Sequence, residues 1–149
     1  DDALVIVLSG ISNHDNVGGI FRNAAAFGAD AVILDDQCCN PLYRKALRVS
    51  VGGVLKVPWL MDGPAEAIAV RLSDAGFILC ALSPSGAENI RTIPASGKRA
   101  IFLGSEGDGL SPAILQSLKT YRISMKAGFD SLNVATASGI AMMLASTKP

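Results

Sequence analysis

Histidine and cysteine are scarce in this chain, and each scarcity closes off a kind of chemistry. Cys38, Cys39 and Cys80 are the three cysteines. An adjacent pair plus one distant residue is no disulfide framework. With His14 as the single histidine it is also a poor metal site, so no metal is expected. Such cysteine usage suits a reducing, cytoplasmic interior. His14 stands in a polar loop with no Gly-x-Ser-x-Gly elbow elsewhere, and reads as a loop residue rather than a base. Paired carboxylates for glycoside chemistry are not apparent. Net charge is lacking too: 13 basic residues balance 13 acidic ones, so the chain does not gather nucleic acid by overall charge. No apolar run approaches the roughly 20 residues of a membrane span, no secretory signal opens the chain, and no membrane association is expected.

What remains is ordinary folding material. Half of the 149 residues are hydrophobic and 17% are charged, which suits one domain with a real core. Asp1 and Asp2 run straight into Ala3-Leu4-Val5-Ile6-Val7-Leu8, the continuous apolar pattern of a buried parallel strand. A chain that starts this way reads as a domain cut from something longer, with the missing part upstream. Strand and helix then alternate. Strands are expected at 3–8, 31–34, 76–82, 99–103 and 121–124, with 54–59 extended. Helices are expected at 17–27, 43–49, 64–74, 112–118 and 131–145. Gly28 is a C-terminal stop, and Ser146-Thr147-Lys148-Pro149 ends the last helix. The pattern predicts a three-layer α/β/α domain on a mainly parallel sheet.

Charge is uneven along the chain. Residues 1–36 hold six acids and a single base, Arg22, whereas residues 37–60 hold Arg44, Lys45, Arg48 and Lys56 and no acid. That middle stretch is either a phosphate-contacting patch or a plainly solvated helix.

Three constellations carry possible chemistry. In Asn16-Val17-Gly18-Gly19-Ile20-Phe21-Arg22, Asn16 can cap a helix. Two glycines in a first turn need a reason, such as the close approach of another backbone. Ile20, Ala24 and Phe27 make the buried stripe, and Arg22 lies off it. The plain alternative is a cap and a surface ion pair. In Leu103-Gly104-Ser105-Glu106-Gly107-Asp108-Gly109-Leu110, three glycines surround Glu106 after a strand. The spacing is neither a phosphate loop nor a dinucleotide fingerprint. It is either a loop presenting its backbone to a ligand or a bare turn. Last, Ile123-Ser124-Met125 precedes Ser131-Leu132-Asn133-Val134-Ala135, where Ser131 can cap a small-sided helix and Asn133 falls in its first turn. Close packing alone would also explain that helix.

Taken in order, these segments resemble the three motifs of the SpoU (TrmH-like) family of RNA ribose 2′-O-methyltransferases, within the SPOUT superfamily. Asn16, Gly18, Arg22 and Gly28 match the first motif. Gly104 to Leu110 match the second without a gap. Ile123, Met125 and Ser131 to Ala135 match the third, and Ala46 to Gly53 resemble the segment between. The resemblance covers essentially the whole chain. It implies a deep C-terminal trefoil knot, against the usual rule that connections do not thread one another. It implies S-adenosyl-L-methionine as cofactor, bound by Leu103, Gly104, Gly109, Ile123, Met125 and Leu132, with Ser83 lining the same pocket. It implies methyl transfer to a ribose 2′-hydroxyl of tRNA or rRNA. Arg22 would serve as base or as phosphate and alkoxide clamp. Glu106 would orient Arg22 or Asn16, and Ser131 and Asn133 would hold the ribose. It further implies a homodimer through the knot region and an N-terminal RNA-binding domain outside residues 1–149. Two rival classes are weighed against it. A binding module without catalysis should lose Arg22, Asn133 or the cofactor loops. A dinucleotide-dependent oxidoreductase should carry Gly-x-Gly-x-x-Gly after its first strand, where Gly10-Ile11-Ser12-Asn13 stands instead.

Overall fold

A computed structural model describes residues 1–146; Thr147, Lys148 and Pro149 of the expected C-terminal stop lie outside the described residues. The strands are β1 (Ala3–Ser9), β2 (Ala31–Leu34), β3 (Trp59–Met61), β4 (Ile78–Leu82), β5 (Glu88–Asn89), β6 (Lys98–Gly104) and β7 (Lys119–Arg122). The helices are α1 (His14–Phe27), α2 (Arg44–Val49), α3 (Gly53–Lys56), α4 (Ala65–Asp74), α5 (Pro112–Ser117) and α6 (Val134–Ala145). The strands form one sheet in the order β3-β2-β1-β6-β4-β7-β5. Every ladder in it is parallel, as the sequence pattern predicts.

β1 and β6 are the spine, paired from Ala3 with Lys98 to Ser9 with Gly104. Their side chains alternate between two cores. Leu4, Ile6, Leu8, Ile101 and Leu103 join residues of α1, α3 and α6. Val5, Val7, Ala100 and Phe102 join residues of α4 and α5. Burial on both faces explains why β1 reads as an unbroken apolar run.

α1 starts earlier than expected. Its cap is Asn13, whose side chain accepts from the Asn16 amide at 3.0 Å. Asn16 is therefore a buried first-turn residue and not the cap. Ser12-Asn13-His14-Asp15-Asn16 offers several cap-competent residues, and the earlier cap adds a turn that buries Asn16. Gly28 ends the helix at φ 72°, as expected. The two glycines are explained by close approach. A Cβ on Gly18 would lie 2.7 Å from the Ala46 carbonyl oxygen and 2.8 Å from Val49 Cβ, and one on Gly19 would lie 3.0 Å from Ala135 Cβ.

Two other expectations shift. The segment 54–59 is not extended throughout, because Gly53–Lys56 is a short helix and β3 begins at Trp59. Val54 and Val57, three residues apart, both turn into the α1 core, and that burial overrides the strand preference of valine. The last helix begins at Val134, and its cap is Asn133, not Ser131. Its C-terminal end is held by Arg99, which is 2% exposed. Arg99 donates from Nε and Nη2 to the Ala145 carbonyl oxygen at 2.8 and 2.6 Å, and from Nη1 to Asp2 at 2.8 Å.

Glycine to alanine ordinarily strengthens a helix by about 1 kcal/mol. At Gly18 the overlap with the backbone of α2 reverses the sign, so Gly18→Ala should cost about 1–3 kcal/mol net. A lowered midpoint in urea unfolding checks it, and a raised midpoint would show that α1 and α2 separate freely.

Candidate active site

A cleft opens beside the C-terminal ends of β4, β6 and β7, where parallel α/β sheets commonly bind ligands. It is lined by Leu82, Ser83, Leu103, Gly104, Glu106 and Gly109 on one side. Tyr121, Ile123, Met125, Ser131, Leu132 and Val134 close the other. Counting the open solvent at its mouth, the cleft spans about 650 Å³. The wall is mainly apolar, with backbone and hydroxyl groups at its edges. All seven residues expected to contact the cofactor, from Ser83 to Leu132, line this one cleft, together with Glu106 and Ser131.

The loop after β6 owes its shape to glycine. A Cβ on Gly104 would fall 2.4 Å from Gly109 C and 2.4 Å from Leu110 N. Gly109 takes φ +67°, and its amide donates to the Ser105 carbonyl oxygen at 3.0 Å. The loop doubles back on itself and holds Glu106 out at its tip.

At the mouth the motif side chains meet in one polar chain. Asn133 Nδ2 donates to Asn16 Oδ1 at 2.9 Å and to Glu106 Oε1 at 2.8 Å. The Val134 amide adds a bond to the same Glu106 oxygen at 3.3 Å. Glu106 thus stands at the positive end of α6, where a carboxylate is favoured. It engages Asn133, which in turn bonds Asn16, and among the described residues no hydrogen bond joins Glu106 directly to Arg22 or Asn16. Asn133 Oδ1 meanwhile accepts from the amides of Ala135 and Thr136 at 2.9 and 3.2 Å. One side chain therefore caps α6 and links two motifs.

Arg22 stands apart. It is exposed, is not among the residues lining the cleft, and forms no hydrogen bond or ion pair among the described residues. The surface ion pair considered for it is absent there. Its neighbour Asn23 does what sequence reasoning missed: Nδ2 donates to the Ala135 carbonyl oxygen at 2.8 Å and to Ser138 Oγ at 3.0 Å, locking α1 to α6. Asn23 lies seven residues, two helical turns, beyond Asn16, and that spacing is the signal that could have found it. Tyr121, also missed, is 1% exposed behind the cleft. Burial first, then Cys80, pushes its hydroxyl up to about 12, so it is a neutral hydroxyl and no base near neutral pH.

The other titratable groups of note lie away from the cleft. Asp35, 4% exposed, accepts from Ser9 Oγ at 2.7 Å and from the amides of Gly10 and Gln37 at 3.0 Å each. Burial pushes the Cys38 thiol beside it up to about 12. Among the described residues no cluster of three or more metal-ligating side chains occurs, and no helix is long and apolar enough to cross a membrane.

Residues 3–143 match the SpoU rRNA Methylase family, and the chain belongs to it. A Mycobacterium tuberculosis protein named as an uncharacterized tRNA/rRNA methyltransferase is 44% identical over 146 residues, 92% of this chain and 49% of its own length. The chain thus spans about half the length of the curated relatives it matches. An AdoMet-bound rRNA methyltransferase from Sinorhizobium meliloti aligns with a TM-score of 0.89 at 28% identity, over 96% of this chain and 55% of that one. A solved RNA 2′-O ribose methyltransferase aligns with a TM-score of 0.87, also at 28% identity, over 97% and 55%. The mainly parallel α/β sheet is the one these methyltransferases share.

Two outcomes follow. Asn133→Ala should lower unfolding stability by about 1–2 kcal/mol through the lost cap, whereas Asn133→Ser keeps a capping oxygen and loses both amide-donated bonds without adding a charge beside Glu106. Comparing the two in urea separates capping from the polar chain, and equal losses would deny the cap its share. With its pKa raised, Cys38 should hold its proton from pH 7 to 9 and resist iodoacetamide there, reacting only once urea exposes it. Rapid labelling of the folded chain at pH 8, located by peptide mass, would contradict this.

Proposed function

We propose that this chain transfers a methyl group from S-adenosyl-L-methionine to a ribose 2′-hydroxyl of tRNA or rRNA. The observation that carries the reading is the meeting of one apolar, glycine-shaped cleft with the Asn16–Asn133–Glu106 chain at its mouth. Family membership and the AdoMet-bound relative from Sinorhizobium support it. So does the relative whose name specifies 2′-O ribose methylation.

The cleft fits that cofactor on its own chemistry. Leu103, Ile123 and Leu132 supply apolar surface for a purine ring. The backbone of the Gly104–Gly109 loop approaches without side chains in the way. When bound, the cofactor supplies a methyl group on a positively charged sulfur.

The protein must then align a weak nucleophile and favour loss of its proton. Ser131 lines the cleft to hold the ribose, and Asn133, its amide fully engaged by Asn16, Glu106 and the first amides of α6, sets the position of that helix end beside it. Arg22 binds the neighbouring phosphate and stabilises the forming alkoxide. A guanidinium, with a pKa above about 12, is a poor base but a good clamp. Because Arg22 stands off its own cleft, the reading includes a homodimer in which one subunit completes the other's site. It also includes a three-layer form with a C-terminal trefoil knot, residence in the cytoplasm, and an RNA-binding domain attached outside residues 1–149.

Titration calorimetry with S-adenosylhomocysteine should give one site per subunit, and sedimentation about twice the 15.4 kDa chain mass. Saturable binding of NAD in its place would favour an oxidoreductase and end the proposal. In the longer protein, Arg22→Ala should lower single-turnover methylation of total tRNA or rRNA by about a thousandfold while sparing cofactor binding. Arg22→Lys should resemble it if the planar fork matters. Near-normal turnover by a folded Arg22→Ala protein would remove Arg22 from the mechanism.

A further inference from the structure

Three of the seven arginines hold partners through their side chains. Arg71 pairs with Asp62, Arg99 holds Ala145 and Asp2, and Arg122 donates to the Gly86 and Ala87 carbonyl oxygens. Four guanidinium groups make no hydrogen bond or ion pair among the described residues; Arg91 follows β5, and the other three, Arg22, Arg44 and Arg48, are carried by the neighbouring helices α1 and α2. α1 and α2 meet at one corner of the fold, through Gly18 against Ala46 and Val49. Arg22 lies one turn beyond Gly18 on α1, and its amide nitrogen would be 3.2 Å from a Cβ on Gly53, just past α2. Arg44 and Arg48 are four residues apart on α2 and both exposed. Like charges at that spacing work against a helix, and no acid occurs anywhere in residues 37–60 to relieve them.

An aromatic ring completes the corner. Tyr43, at the start of α2, is 60% exposed, and its hydroxyl has no hydrogen bond among the described residues. The ring is held by His14 of α1, edge to face, with centroids 4.8 Å apart and planes at 73°. Beside it Lys45 is tied to Asp15 of α1 at 3.4 Å. That exposed pair turns Lys45 toward α1, while the helices themselves are held by the close approach at Gly18.

We propose that this corner binds an unpaired stretch of the substrate RNA, with the three guanidinium groups on successive phosphates and a nucleobase stacked on Tyr43. Charge complementarity favours a polyanion over a neutral or basic protein surface. The exposed ring favours a single strand over a duplex, because bases within a helix offer no free face. The inference rests on the methyltransferase reading and narrows its substrate to RNA presented as a loop, bulge or end. Arg22 links the two, since the phosphate it binds would be the last of this track before the reacting ribose.

The test measures fluorescence anisotropy of a short fluorescein-labelled oligouridine and of an RNA duplex of equal length, across a salt series. The intact chain should prefer the single strand. Tyr43→Ala should weaken that complex about tenfold and leave the duplex unchanged, with Tyr43→Phe restoring it. Arg44→Ala with Arg48→Ala should reduce the slope of log affinity against log salt by about 1.4, at roughly 0.7 for each phosphate contact on a single strand. S-adenosylhomocysteine titration and sedimentation of the same proteins report folding, the cofactor site and assembly separately. Equal affinity for both RNAs, an unchanged slope, or indifference to Tyr43→Ala would overturn the proposal while leaving cofactor binding intact. Loss of RNA affinity accompanied by a change in sedimenting mass would make the corner a subunit contact, and would overturn it too. Failure of S-adenosylhomocysteine to bind the unaltered chain would instead count against the methyltransferase reading itself.

Discussion

The contact between α1 and α6 is the constraint on which the site depends. Two helices distant in sequence approach at the distance that Gly19, Ala135 and Gly139 allow, with Gly139 only 3.2 Å from the Asn23 amide at an added Cβ. Asn23 then reaches the Ala135 carbonyl oxygen and Ser138 Oγ. Ser138 is fully buried, and its own hydroxyl donates to Ala135 at 2.6 Å. A buried polar side chain here is tolerated because its bonds are made. The same closeness brings Asn16 within 2.9 Å of Asn133. A methyl added at Gly19 or Gly139 would meet Ala135 or Asn23 at 3.0 or 3.2 Å and force the seam open by a few tenths of an ångström.

Charge follows a division of labour that a net value of zero conceals. Asp35 and Arg99 are buried, and each is surrounded by groups of the right polarity, hydroxyl and amide donors for one and carbonyl oxygens for the other. They tie strand ends and a helix end to the sheet. The exposed guanidinium groups of α1 and α2 do no such structural work. The difference lies in solvation: a buried ion without partners would be costly, whereas an exposed one can wait for a ligand.

Much of this was legible in the sequence. The apolar run of β1 gave its burial on both faces, Gly28 gave the end of α1, and the glycines after β6 gave a tight loop that presents backbone. The residues assigned to the cofactor converge on one cleft although they come from four separate stretches. Other features were hidden because local rules do not choose among equals. Asn13 and Asn16 are both good caps, and which one serves depends on whether α6 is there to bury the other. Ser131 and Asn133 pose the same ambiguity, resolved when Asn133 finds Glu106. α3 was hidden by valines that favour a strand until the packing at 54 and 57 is known. Asn23 has only its two-turn spacing from Asn16 as a local signature, because its partners lie more than 110 residues away.

The position of β6 has a consequence for the history of each molecule. β1 is flanked by β2 and β6, yet its partners in β6 lie about two thirds of the chain further on, Lys98 opposite Ala3. While the chain emerges from the ribosome, β1 can pair with β2 and β2 with β3, but the other edge of β1 lacks its native partner until residues 98–104 have been made. That edge is apolar and extended, the kind that recruits stray strands from other molecules. High contact order makes its closure slow. The ribosome's pace through the middle of this message, and the chaperones waiting at the exit, therefore bear on yield as directly as any contact in the finished fold.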